Sequence, residues 1–264
     1  MKGLFSFVKF DFAVPMTFYE FVAIILAAIA IIIPIVQAIW KKWIVQATLK
    51  YYPTGRAYLY CNKSGSYISI EGVFEALRKP ITVKKVAVSV ERVRDSRKLN
   101  LQWSVFNSPV NQSIAGNLAS SSEIAHPFRI EADSVMCAFT EFADPYDSAR
   151  KKIAPAFDRL TQKVMQIGIT AQDYNTAKQA VMNMPEYIEA KTAFEKEYFW
   201  EIGKYDVVIT AQYSNKTVTF KHGFRIDKDE YDKLQANIEE ILISSVKNAY
   251  RVPLAIQSVF VEFD

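Results

Sequence analysis

The side chains best suited to bind a metal or to act as a strong nucleophile are two cysteines and two histidines: Cys61, Cys137, His126 and His222. A zinc site needs three or four such ligands at characteristic spacing, and neither histidine has another ligand near it in the sequence. Both cysteines stand in apolar runs typical of strands, which favours buried thiols over reactive ones. The sequence therefore predicts no metal site, no cofactor and no catalytic cysteine.

Other catalytic patterns are also missing from the sequence. Its eight glycines are too scattered for a phosphate-binding loop, and no Gly-x-Ser-x-Gly motif occurs. The closest carboxylate groups are Glu239 with Glu240, and Asp227 with Asp229 and Glu230. A solvated helix face and a helix N-terminus explain them, because negative charge is favoured at an N-terminus. The expectation is a protein that is not an enzyme.

One cluster of charge stands out from the rest of the chain. The segment from residue 78 to 98 contains eight basic residues and two acidic ones, Glu91 and Asp95, so its net charge is +6. On a domain held near a membrane, such a cluster is a candidate contact for anionic lipid headgroups or for an acidic partner. The alternative is a solvated strand edge, where lysine and arginine prevent pairing with other chains. Proteins that bind single-stranded nucleic acid place aromatic side chains among their basic residues to stack on the bases. The basic cluster has no such aromatic residues among its members, so nucleic acid is not an expected partner. The basic residues are Arg78, Lys79, Lys84, Lys85, Arg92, Arg94, Arg97 and Lys98.

A long apolar segment precedes this cluster. Between Phe21 and Trp40 the one polar residue is Gln37. As a helix, twenty residues measure about 30 Å, the thickness of the hydrocarbon core of a bilayer. Thr17 and Glu20 have the spacing of a capping box that begins such a helix. A cleaved signal would be shorter and end in small residues, and a core helix would not be apolar on every side, so the expectation is a transmembrane helix.

The transmembrane helix is assigned to residues 17–43. A proline inside it is tolerated with a local kink, and aromatic and basic residues after it are typical of the headgroup level. The residues assigned to the span are Phe21, Ile25, Ile29, Ile33, Pro34 and Trp40. The interface anchors are Trp40, Lys41, Lys42 and Trp43.

Basic residues near the span predict its orientation. More of them follow the span than precede it, which favours a C-terminal domain in the cytosol. Those that follow are Lys41, Lys42, Lys50 and Arg56, against Lys2 and Lys9 before it. The sequons at Asn62, Asn111 and Asn215 would then be chance matches. Residues 1–16 contain four phenylalanines and are expected to lie in the membrane interface.

Composition and periodicity predict the class of fold. The chain has 264 residues, 50% of them apolar and 23% charged, with a net charge of +4, which excludes disordered, collagen-like and disulfide-stapled chains. Two cysteines without a framework fit a reducing compartment. From residue 44 to 264 the pattern is mainly β with α insertions, because apolar residues alternate and turn-forming residues separate the runs. The candidate strands are Trp43–Tyr52, Arg56–Cys61, Tyr67–Phe74, Ile81–Arg92, Lys98–Phe106, Pro127–Glu131 and a hairpin over 207–222.

Helices interrupt these strands. Asp144 before Pro145 is a good start signal, and residues 145–197 then show helical spacing, which predicts a helical hairpin insertion. An amphipathic helix is expected from Asp227, followed by a last strand over 254–263. Short strands without regular crossover helices predict an antiparallel sandwich or barrel. The order of Cys61, Trp103 and Cys137 resembles that of an immunoglobulin domain without its spacing, so an immunoglobulin-like β-sandwich is the expected architecture and no family is assigned.

These features predict a single-pass membrane protein whose cytosolic domain binds other macromolecules as an adaptor, sensor or scaffold. Its expected partners are membrane lipids and either another protein or a second copy of itself. One alternative is a membrane-disrupting effector of the toxin or bacterial defence type, whose helix oligomerises through Ala23, Ala27 and Ala30. The other alternative is a membrane-bound enzyme with a site assembled from dispersed residues.

Overall fold

The chain is described by a computed structural model that forms two units, Met1–Gln46 and Ala47–Asp264. The residues that the structure describes are 17–40, 45–107, 112–114, 117–119, 122–167 and 173–264. The predictions for residues 1–16, for Lys41, Lys42 and Trp43, and for Asn111 lie outside the described residues.

The first unit contains helix α1 (Phe18–Ile39), with Pro34 inside it. The predicted capping box is confirmed: the Thr17 backbone N–H donates to the Glu20 carboxylate at 2.8 Å, and the Glu20 N–H donates to the Thr17 hydroxyl at 3.4 Å. None of the side chains of the helix is buried, and Trp40 after it is exposed. Among the described helices, α1 is the one long and apolar enough to cross a membrane.

The second unit consists mainly of antiparallel strands with helices between them. Its strands are β1 (Thr48–Asn62), β2 (Gly65–Leu77), β3 (Ile81–Arg92), β4 (Arg97–Asn107), β5 (Gln112–Ile114), β6 (Asn117–Ala119), β7 (Ser122–Ile124), β8 (Phe128–Ile130), β9 (Ser134–Ala143), β10 (Gly203–Tyr213), β11 (Lys216–Ile226) and β12 (Val259–Glu262). Its helices are α2 (Ser148–Ile167), α3 (Tyr174–Met182), α4 (Pro185–Glu197), α5 (Lys228–Leu242) and α6 (Ser244–Ala249).

Ten of the twelve described strands form one large sheet with a barrel-like course, and β5 and β6 pair with each other in a small second sheet. The order of the large sheet is β11-β10-β3-β4-β9-β2-β1-β12, with β7 joined to β4 and β8 joined to β3. The two ends of this order approach each other, because the Asp264 N–H donates to the Gly223 carbonyl of β11 at 2.8 Å. The neighbouring Phe263 N–H donates to the Gly55 carbonyl of β1, the strand that pairs with β12, at 2.9 Å. The predicted antiparallel β fold is confirmed, whereas an immunoglobulin-like sandwich is not, since the strands continue around one sheet.

Alternation along the strands places one face in the core. On β3, Val86, Val88 and Val90 are buried and the residues between them are not, as their spacing predicts. The ring of Tyr51 lies directly against Gly72, which has no side chain. A Cβ at Gly72 would lie 2.3 Å from the Tyr51 hydroxyl, so this position requires glycine.

The helical region differs from the prediction in its start and in its number of helices. Three helices occupy the described part of residues 148–197, where the pattern predicts a hairpin. Helix α2 begins at Ser148, three residues after Pro145, because the Asp144 carboxylate first closes a turn. It accepts hydrogen bonds from the N–H groups of Tyr146 at 2.9 Å and Ser148 at 2.7 Å. Asp144 therefore closes the turn before the helix and does not directly precede its first residue, so the predicted start of the helix was wrong.

The last strand is shorter than predicted because α5 holds the segment before it. The buried Asn237 amide donates to the Gln257 carbonyl at 2.7 Å and accepts from the Gln257 N–H at 2.8 Å. Glu240 similarly accepts from the Ala255 N–H at 2.9 Å. These side chains form hydrogen bonds with backbone groups that a strand would need for pairing with its neighbour. Strand β12 therefore begins only at Val259.

The predicted burial of the cysteines is correct for one of them. Cys61 is buried, but Cys137 is exposed. On β9 the neighbouring Ala138 is buried, with 2% of its surface exposed. Because successive side chains of a strand point to opposite faces, Cys137 must face outwards.

The seam between β11 and the C-terminus contains a histidine that should make stability depend on pH. The buried Nε2 atom of His222 has no hydrogen-bond partner among the described residues, and its ring lies 5.2 Å from that of Phe263. Burial lowers the pKa of His222 below its ordinary value. The unfolded chain therefore binds this proton more readily, and stability is lost as the pH falls below about 6.5.

We expect the free energy of unfolding of the full chain in detergent to decrease between pH 7.5 and 5.5. His222→Phe should remove this decrease, whereas His126→Gln, which changes an exposed histidine, should retain it. Urea denaturation at both pH values measures the effect. An equal decrease in His222→Phe would assign the pH dependence to another group.

Candidate functional site

A polar cleft of about 680 Å³ lies beside strands β3, β4 and β10. Its walls come from the turn between β1 and β2, from the start of α2 and from the residues after α4. Side chains that line it include Ser64, Ser66, Ala87, Ser89, Arg97, Lys98, Asn100, Gln102, Tyr146, Lys152, Glu197 and Thr210. Six segments of the chain thus meet at one site.

Strand register builds the floor of the cleft. Ala87 pairs with Thr210 on one side and with Gln102 on the other, and Ser89 pairs with Asn100. The Ser89 hydroxyl donates to the Asn100 side-chain oxygen at 2.9 Å. The small side chains of Ala87 and Ser89 leave a hollow, and the amides around it can donate and accept hydrogen bonds.

The walls are held by hydrogen bonds and close packing. The Ser66 hydroxyl accepts from the Phe199 N–H at 3.3 Å, which fixes the residues after α4 against β2. At Gly65, whose φ is +124°, a Cβ would lie 3.0 Å from the Cβ of Ala149 in α2. Glycine at this turn therefore allows α2 to approach the sheet closely. The cleft is a preformed feature of the fold.

Charges of both signs surround the cleft. Lys152 forms an ion pair with Glu197 at 2.9 Å, and Lys98 forms one with Glu91 at 3.1 Å. The Arg97 guanidinium donates to the carbonyls of Tyr198 at 3.1 Å and Glu197 at 3.4 Å. The cleft is therefore close to neutral and offers ionic groups of either sign at its edges.

Both carboxylates of the cleft are already engaged. Partial burial opposes the charge of Asp144, but hydrogen bonds from the N–H groups of Tyr146 and Ser148 outweigh it and lower the pKa of Asp144 below its ordinary value. Glu197 is held by Lys152. A general acid or base needs an available group, and hydrogen bonds or an ion pair already occupy both carboxylates.

The basic residues predicted to form one contact are divided between two ends of β3. Arg78 and Lys79 lie in the turn before this strand, whereas Arg94 lies in the turn after it. The strand has 12 residues and measures about 40 Å at roughly 3.3 Å per residue. Lys84 and Lys85 belong to its first half, and Arg92 ends it. Two of the eight, Arg97 and Lys98, line the cleft.

Arg92 is an internal structural residue, with 4% of its surface exposed. Its guanidinium forms ion pairs with Asp95 at 2.6 Å and with Glu201 at 2.6 Å, and it donates to the Phe199 carbonyl at 3.3 Å. This guanidinium lowers the pKa of Asp95 to about 2. Arg92 therefore joins the turn after β3 to the wall of the cleft and has no surface to offer a lipid or a partner.

Sequence reasoning missed the cleft but contained one signal for it. The alternation of Ala87, Ser89 and Glu91 with valines predicted a wetter face on β3, and the cleft lies on that face. The walls could not be predicted, because residues 64–66, 144–152 and 197–199 meet β4 only through the tertiary fold.

Comparisons with known proteins add little to this geometry. No protein-family model matches the chain. No curated protein matches it in sequence either. Among solved structures, it is similar to a family 123 glycoside hydrolase from Clostridium perfringens, with a TM-score of 0.31 and 10% identity over 69% of this chain. The chain spans 27% of the length of that protein. A likeness this distant says nothing about the activity of the chain.

The position of Arg92 makes a prediction about stability. Arg92→Ala should lower the free energy of unfolding by about 1–3 kcal/mol, because it removes a buried guanidinium that bonds the Phe199 carbonyl and two carboxylates. Arg94→Ala is the matched control: its side chain is 76% exposed and lies 3.8 Å from Glu201, so a change within about 0.5 kcal/mol is expected. Urea denaturation of the full chain measures both, and equal effects would contradict the assignment of Arg92.

Proposed function

We propose that the chain is a single-pass membrane protein that binds a protein partner through the polar cleft and is not an enzyme. The observation that carries this proposal is the cleft itself. It brings together Arg97 and Lys98, from the basic segment whose sequence suggested a contact, and Tyr146 and Lys152, from the region around α2. The proposed role is that of an adaptor or sensor at the membrane.

The character of the cleft favours a polar stretch of polypeptide as its occupant. Its floor offers the amide of Gln102 and the hydroxyl of Thr210, which have no hydrogen-bond partner within the described ranges. Basic and acidic groups both stand at its edges, which suits a mixed polypeptide better than a polyanion. Tyr146 is 71% exposed at the rim, and tyrosine is enriched at protein interfaces.

The engaged state of the cleft carboxylates supports binding over catalysis. Asp144 is bonded to backbone N–H groups of its own turn, and Glu197 to Lys152. Binding needs only the remaining donors and acceptors, whereas acid–base chemistry would first have to break these bonds.

A cross-linking experiment tests the use of the cleft. We expect a photoreactive amino acid at Gln102 of the full chain, irradiated in native membranes, to give an adduct with a protein of defined mass. The same group at Lys221, an exposed position of β11, is the matched control and should give none. Ser89→Arg should abolish the Gln102 adduct by filling the floor, with the amount of the chain in membranes unchanged.

Two results would overturn binding of a protein at the cleft. One is a yield at Gln102 no greater than at Lys221. The other is an adduct that persists in Ser89→Arg. If an extract filtered to remove proteins suppresses the adduct at Gln102, the occupant is a small polar molecule instead.

The proposed anchor is helix α1, with the second unit in the cytosol. Its length and apolar character support a span, and the excess of basic residues after it supports this orientation. A reporter fused after Asp264 and read from both sides of the membrane tests the orientation. Glycans at Asn62 or Asn215 would place the second unit outside.

A charge in the centre of α1 should disrupt the anchor. Ile29→Lys introduces a cost of about 2.5–3.5 kcal/mol to membrane insertion at this position, whereas Ile29→Leu, the control, introduces none. We expect the wild type and Ile29→Leu to resist extraction by alkaline carbonate, and Ile29→Lys to appear partly in the soluble fraction. Complete extraction of the wild type would contradict a span. Loss of membrane potential on overproduction would favour the effector alternative.

A further inference from the structure

The end of the second unit at which β1 begins, called the proximal end below, brings together four segments. Thr48 of β1 pairs with Leu77 of β2, and Val83 of β3 pairs with Tyr213 of β10. The Tyr213 hydroxyl donates to the Ala47 carbonyl at 3.5 Å, which joins the first residue of the unit to this end. The segments are residues 47–50, 75–85, 129–134 and 212–216.

The proximal end carries most of the positive charge of the unit. Its four segments contain seven basic and three acidic residues, a balance of +4. Residues 47–264 as a whole have a balance of +2, so the remainder of the unit is at −2. The basic residues are Lys50, Arg78, Lys79, Lys84, Lys85, Arg129 and Lys216.

The other end of β3, called the distal end, is neutral. Residues 91–98 and 197–206 contain five basic and five acidic residues. Arg92 is paired with Asp95 and Glu201, and Lys98 with Glu91. The proximal end has seven basic residues against three acidic ones, and the distal end has five against five, which makes the distal end a natural control.

Key cations of the proximal end are exposed and have no ion pair within the described part of the chain. Arg78 has a positive φ of 71° in the turn, and its backbone N–H, not its side chain, donates to Asp133 at 2.8 Å. Lys84 is exposed at a register shift between β3 and β10, where Lys85 faces Gln212 and Val83 faces Tyr213. Such a shift leaves one residue without a counterpart and turns its side chain away from the ladder.

The proximal end also begins close to α1 in the sequence. Thr48 follows Ile39 by nine residues, which measure at most about 30 Å when fully extended. A bilayer that holds α1 therefore lies within reach of these cations. Attraction to anionic headgroups acts over a Debye length of about 8 Å at physiological salt, so a tether this short matters.

We propose that the proximal end binds the anionic lipid headgroups of the membrane that holds α1. The inference rests on the proposed membrane anchoring and assigns the lipid contact to Arg78 and Lys84 with their basic neighbours. Arg92, Arg94, Arg97 and Lys98, from the same segment of sequence, take no part in it. Contact through this end leaves the cleft beside α2 open to a partner.

Fluorescence quenching in lipid nanodiscs tests this assignment with the full chain. A dye is attached at Thr82→Cys for the proximal end, or at Ser96→Cys for the distal end, both in a Cys137→Ser background that removes the exposed native thiol. The quencher is carried on lipid headgroups. We expect quenching of the Thr82 dye to be stronger with phosphatidylserine than with phosphatidylcholine alone, and to decrease in high salt, while the Ser96 dye stays unaffected.

Matched charge removal supplies the decisive comparison. Arg78→Gln with Lys84→Gln should lower the ratio of membrane-bound to free proximal ends by about 25-fold, or about fivefold for each basic residue near the surface. Arg94→Gln with Lys204→Gln removes the same charge at the distal end and should leave this ratio unchanged. Near-ultraviolet circular dichroism confirms that both variants are folded.

The outcomes separate this inference from the proposed anchoring. If the chain fails to enter nanodiscs, the anchoring is wrong. If it enters but the Thr82 dye is quenched equally in both lipids, or both double variants behave alike, the lipid contact of the proximal end is wrong and the anchoring stands.

Discussion

The pleat of strand β3 is the constraint on which the other features of the second unit depend. One face of this strand must be apolar, since Val86, Val88 and Val90 lie in the core. The opposite face is then free to be polar, and Ala87 and Ser89 on it form the floor of the cleft. Because β10 and β4 pair with the two edges of β3, its register also decides which residues surround that floor.

The basic side chains along this strand differ in whether a nearby carboxylate forms an ion pair with them. A run of basic residues in the sequence becomes two groups, and Lys84 and Arg92, eight residues apart on β3, are separated by about 26 Å at roughly 3.3 Å per residue. At one end Arg92 is buried between Asp95 and Glu201 and contributes to stability. At the other end Arg78 and Lys84 are exposed and keep their charge available to solvent or to a surface. Equal residue types thus form internal ion pairs at one end and carry the proposed lipid contact at the other.

The proposed partner and the proposed membrane contact use separate surfaces of the same unit. The cleft lies beside β3, β4 and α2, whereas the lipid contact belongs to the turns near Ala47. Rigid strands connect the two surfaces, and backbone hydrogen bonds hold both walls of the cleft. The unit would therefore present its cleft in a fixed direction relative to the membrane, as an adaptor or sensor requires.

The sequence by itself determined the elements that depend on local pattern. The capping box at Thr17, the apolar helix that follows it and the alternation in β3 were all predictable, because each depends on residues within one turn or one strand. The tertiary structure alone decided the barrel-like closure, the division of the basic residues and the cleft. Closure depends on hydrogen bonds between Gly223 and Asp264 and between Gly55 and Phe263, partners that no local pattern connects. The burial of Arg92 depends likewise on Glu201, more than a hundred residues away, so its charge could be read from the sequence but its role could not.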